Sequence, residues 1–101
     1  MVGNVMDLPV GLYKYRPDGH RLLRMASDDR RKQMERAAMG QDWVRENAAL
    51  FVFSSVDSRT TRKYGQRGIR YIHIEVGHAA QNVMLQAQTL GLGAAVVGAF
   101  D

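Results

Sequence analysis

The stretch RGIRYIHIEVGHAAQNVMLQAQTL, Arg67 to Leu90, has the most regular pattern in the chain. Ile72, Val76, Ala79, Ala80, Val83, Ala87 and Leu90 recur at intervals of three and four, the spacing of one helix face. Gly91 follows as a C′ stop. Ile74, Met84 and Leu85 fall off that stripe, so the helix is expected to be buried all round, in part by another subunit. Gly77 stands inside it, where glycine costs about 1 kcal/mol against alanine. Close packing on a helix or a cofactor is the expected reason.

Working outward, AALFVFSSV (48–56) is an apolar run too short for a typical helix and reads as a buried strand. AAVVGAF (94–100) reads as a second one. Gly98 inside it marks a place where a ligand or another backbone comes close. Upstream, GLYKYRPDGHRLLRM predicts a hairpin: strands Leu12–Arg16 and Arg21–Met25 around the turn residues Pro17-Asp18-Gly19. SDDRRKQMERAAM predicts a helix with Ser27 as N-cap, Asp28 and Asp29 in its first turn, and Gly40 at its end. QDWVREN predicts a short helical turn around Trp43. The order β-β-α-(α)-β-α-β gives an α+β fold, a sheet with a long central helix, over one domain spanning residues 1–101.

A chain of 101 residues that is 46% hydrophobic has a real core, which argues against disorder. Fourteen Lys and Arg against ten Asp and Glu give +4, a mild basic excess compatible with phosphate-bearing ligands but common in ordinary soluble proteins. The absence of cysteine excludes disulfides, thiolate nucleophiles and Cys-ligated zinc. No signal peptide or membrane span is read, so a cytoplasmic protein is expected.

His73 and His78 are five apart and do not share a helix face, so HIEVGH lacks the spacing of the HExxH metal pattern, and no metal is expected. GLGAAVVG follows a helix and precedes a strand, the reverse of the dinucleotide-binding context, and its glycine spacing differs too. Glu75, His78 and Asn82 lie on one side of the long helix as a buried polar row, either packing or catalytic. Arg59, Arg62, Lys63, Arg67 and Arg70 form a run of cations without an acid. With interleaved tyrosines such a run suits nucleic acid. A solvated or phosphate-anchoring face, leading into the long helix, is the commoner outcome, and nucleic acid is not the expected partner.

From Lys63 onward, KYGQRGIRYIHIEVGHAAQNVMLQAQTLGLGAAVVGAF resembles the SagB-type dehydrogenase branch of the nitroreductase superfamily. The elements are Lys-Tyr-Gly, Arg-Gly-x-Arg-Tyr, a glutamate, Gly-His, a Gln-Asn pair, Leu-Gly-Leu-Gly and Gly-Ala-Phe; GLYKYRPDGHRL and GQDWV match upstream. The resemblance implies an FMN-dependent oxidoreductase, an intertwined homodimer with flavin at the subunit interface. Members include azoline dehydrogenases, so a small-molecule or peptide substrate is implied. Lys63 and Tyr64 take the catalytic positions, and Val97, Gly98 and Ala99 run beside the flavin ring. Family members are about twice this length. The segments corresponding to the phosphate-gripping arginines and to the C-terminal tail are not in this sequence, which leaves a non-catalytic, dimerising form of the fold as the alternative implication.

Overall fold

The computed structural model describes residues 1–101. It is a small α+β structure: strands β1 (Leu12–Arg16) and β2 (Arg21–Ala26), then helices α1 (Arg31–Ala37), α2 (Asp42–Glu46), α3 (Asp57–Tyr64) and α4 (Arg67–Thr89). The chain divides into two compact units, Met1–Val52 with Val97–Asp101, and Phe53–Val96. No helix is long and apolar enough to cross a membrane.

In the first unit the predicted hairpin is present. β1 and β2 pair antiparallel, Tyr13 opposite Arg24 and Tyr15 opposite Leu22, with an irregularity between Leu12 and Tyr13. Gly19 (φ 72°) and His20 (φ 46°) supply the left-handed turn, closed by His20 N–H donating to Pro17 O at 3.1 Å. Residues 1–3 bridge two segments: Val2 exchanges backbone hydrogen bonds with Gly11, and Leu50 N–H donates to Met1 O at 2.8 Å. Met1, Val2, Ala38 and Val44 form the buried core. Val44 on α2 is only 1% exposed. Val44→Ala removes about two methylene equivalents from that core and leaves a cavity, an expected loss of about 2 kcal/mol in denaturant unfolding.

α1 starts later than its sequence signals. Ser27 is not its N-cap; the helix begins at Arg31, with Arg30 at the cap position and no side-chain cap on it. Local ion pairs explain the delay. Arg30 Nε donates to Asp28 at 2.8 Å and Arg31 Nη2 to Asp29 at 2.7 Å, while Asp29 also accepts the Arg31 backbone N–H at 3.0 Å. These bonds hold both carboxyls below their ordinary range and keep the acids outside the helix they were expected to open. At the other end Met39 (φ 56°) takes the left-handed position, and Gly40 N–H reaches back to Glu35 O at 2.9 Å.

Neither apolar run becomes a strand. In 48–56 only Ala48, Ala49 and Leu50 meet a backbone distant in sequence, that of the N-terminal residues; Phe51 and Val52 are 70% and 64% exposed. Residues 94–100 have no strand partner: Ala99 O accepts only Gln41 Nε2 at 3.3 Å, and the next residue, Asp101, donates its N–H to Ala37 O at 2.9 Å. Strand composition becomes a strand only against a neighbour offering a complementary ladder, and this chain's one ladder is the hairpin.

In the second unit, α3 occupies the stretch expected as a solvated lead-in. Its periodicity is silent because it lacks an apolar stripe. Its punctuation is informative: Asp57 in the first turn, Arg62 and Lys63 in the last, Gly65 after it. Gly65 sits at φ 60°, ψ −148°, a region open essentially to glycine alone, and turns the chain into α4. α4 matches its predicted span to within one residue and ends in a Schellman motif: Gly91 (φ 70°) donates to Gln88 O and Leu92 to Ala87 O.

α4 is not buried all round. Ile69, Ile72, Ala79, Ala80, Val83, Met84 and Ala87 are half-buried, only Gly68 is buried, and Ile74 and Leu85 on the far side are 47% and 57% exposed. A 23-residue helix packed on one 8-residue helix cannot be enclosed by it. Gly77 is in the open, its missing side chain facing nothing within 4 Å. The close approach is at Gly68, where an added Cβ would lie 3.1 Å from Thr61 Cα and N.

Candidate functional site

Lys63 and Tyr64 are the last two residues of α3, placed there by the stop at Gly65. Lys63 Nζ lies 5.1 Å from the Tyr64 ring centroid, a cation–π distance. Tyr64 meets Tyr71, in the second turn of α4, edge to face: centroids 5.2 Å apart, planes at 86°. The tight turn at Gly65 and the Gly68–Thr61 contact bring these helix ends together. Lys63 is exposed and Tyr64 is 45% exposed.

Tyr71 also walls an open groove of about 410 Å³ between residues 53–55 and one side of α3–α4. Phe53, Ile72, Val76 and Ala79 supply its apolar lining, Ser54, Ser55 and Thr60 its hydroxyls, and Glu75 its one carboxylate. Its lining is thus largely apolar with a few polar groups along it. Thus Lys63 and Tyr64 are joined, through the Tyr71 ring, to a groove whose lining the sequence did not disclose. The signal that could have found it is the stripe through Ile72, Val76 and Ala79, read there only as core.

The polar row is not buried. Glu75, His78 and Asn82 are all exposed and share no hydrogen bond; Glu75 alone faces the groove. α4 has too few neighbours to cover that side.

Val97, Gly98 and Ala99 belong to the first unit. No backbone hydrogen bond uses their N–H groups, and nothing within 4 Å faces the missing side chain of Gly98. The close approach expected at Gly98 is not made by any atom of this chain.

The model of the nitroreductase family matches residues 8–101. The chain belongs to the nitroreductase family. It is 41% identical over 99 residues to a protein of Methanocaldococcus jannaschii that carries the provisional name nitroreductase. That match covers 98% of this chain and 50% of the relative, so the chain spans about half the length of the relative it matches. No solved structure gives a significant match.

Nitroreductase-family proteins generally use flavin. The free N–H groups of Val97–Ala99, open on the glycine side, fit the polar edge of an isoalloxazine ring. They form one wall. Val96 and Phe100, on either side in sequence, are 60% and 66% exposed.

Proposed function

We propose that the chain forms part of an FMN-dependent oxidoreductase of the SagB-type dehydrogenase branch, working as a cytoplasmic homodimer on a small-molecule or peptide substrate. The ordered motif set from Lys63 to Phe100 carries this reading; the family match over residues 8–101 is its support. Val97, Gly98 and Ala99 would hold the flavin edge through their free backbone groups. When bound, FMN would supply the redox chemistry by accepting hydride. The chain's part would be to hold the substrate in the groove and to take its proton on the unprotonated amine of Lys63 or on the phenolate oxygen of Tyr64. The second subunit would cover the apolar residues left in the open, among them Phe51, Val52, Val96 and Phe100.

Absorbance of the purified protein tests the cofactor. It is expected to be yellow, or to become so after incubation with FMN and gel filtration. Protein that stays colourless overturns the flavin reading. One observation favours the alternative of a non-catalytic dimerising form: the proposed catalytic pair is exposed. A dimer in sedimentation that never oxidises NAD(P)H or an azoline would decide for it.

A further inference from the structure

The flavin reading leaves most of a basic face on α3 and α4 unused. The Phe53–Val96 unit carries five Lys and Arg against two acids, Asp57 and Glu75. All five cations are exposed and none is ion-paired. The salt bridges of the chain, Arg21–Asp18, Arg30–Asp28, Arg31–Asp29 and Arg45–Glu35, all lie in the other unit.

Helix geometry gathers the charges. Arg59, Arg62 and Lys63, at i, i+3 and i+4, share one face of α3. Thr60 and Thr61, half-buried, take the other side, with Thr61 set against Gly68. Arg67 and Arg70 occupy the opening turn of α4, which contains no acid. The macrodipole there favours anions, so these two cations add to a positive potential instead of offsetting one. Tyr64 and Tyr71 fall among them in sequence and remain 45% and 37% exposed.

We propose that this face binds single-stranded nucleic acid, the guanidinium groups taking phosphates and the tyrosine rings taking bases. Four of the five cations are arginines, whose planar fork matches phosphate oxygens. They are spread over two helices, which suits a row of phosphates better than a single one. The Tyr64 ring, half-exposed beside Lys63 Nζ, gives a base a stacking surface that an acidic peptide would not use.

The test is fluorescence anisotropy of a labelled oligothymidylate across a salt series. Single strands give a log–log slope of about −0.7 per phosphate contact, so three to five contacts predict about −2 to −3.5. R62E/R67E is expected to weaken binding about tenfold or more and to flatten the slope. K14E/R16E, reversing two exposed cations of β1, is expected to change affinity less than about twofold. If R62E/R67E loses helicity by circular dichroism, R62Q/R67Q replaces it, with a severalfold loss and a flatter slope expected. No saturable binding at low salt overturns the proposal, as does a slope no steeper than about −0.7. Equal losses from the two reversals would reduce the effect to net charge and also overturn it. So would polyglutamate competing as well as unlabelled oligonucleotide.

Discussion

Gly68→Leu is expected to separate α3 from α4. Even a Cβ at this position would lie 3.1 Å from Thr61 Cα and N and 3.2 Å from Thr60 C. Those are backbone atoms of the opposing helix, so the strain cannot be relieved by turning a side chain. Overpacking of this kind costs about 1–3 kcal/mol and rises with the added volume, so leucine should stand at or beyond the upper end. Helical signal should fall, and amides of Thr60–Lys63 should lose exchange protection. Gly77→Ala is the control on the same helix. Nothing lies within 4 Å of that site, so the better helix former should stabilise by up to about 1 kcal/mol. A Gly68→Leu protein that melts like the unaltered chain would show that the Gly68–Thr61 contact does not hold the helices together.

Lys63→Ala is expected to lower turnover of the flavin-loaded protein about 10²–10⁴-fold, the usual size of a general acid–base contribution. A smaller part of the loss comes from its contact with the Tyr64 ring, since a cation–π pair at an exposed site is worth about 0.5–1 kcal/mol. Lys63→Arg separates the two. Arginine keeps the charge over the ring but does not give up its proton in a protein. If Lys63 moves a proton, the arginine variant is as slow as the alanine one. If Lys63 only anchors Tyr64, the arginine variant recovers most of the rate. Tyr64→Phe asks the matching question of the phenol while leaving the edge-to-face pair with Tyr71 in place. Turnover of Lys63→Ala within a fewfold of the unaltered protein would remove Lys63 from the chemistry.

Several local signals are legible because the partner of each group is nearby in the chain. The hairpin follows from Pro17–Gly19 and its flanking residues. α4 follows from its repeat and from Gly91, to within one residue. The short helix at Trp43 appears as α2. α3 was hidden because an exposed helix has no apolar stripe to read, although Asp57, Arg62, Lys63 and Gly65 punctuate it. Ser27 does not cap the helix because Asp28 and Asp29 bond to the arginines beside them instead of opening it.

The candidate site shows the same division. The residue types at Lys63 and Tyr64 could be picked from the motif, but not their company. That Tyr71 stacks on Tyr64 and opens onto a groove with Phe53 and Glu75 depends on the angle between two helices. Gly68 and Thr61 set that angle, across seven residues of sequence.

The hairpin turn, the stop at Gly91, the long helix and the family are written in the order of the residues, because each rests on positions close to one another or on their sequence. Tertiary structure alone decided which apolar residues are covered. Residues 48–56 and 94–100 have the composition of buried strands, yet most of them are left uncovered, because a strand exists only where another backbone answers its hydrogen bonds. It also decided that Gly68 and not Gly77 is the glycine of close approach, since that depends on which side of α4 meets α3.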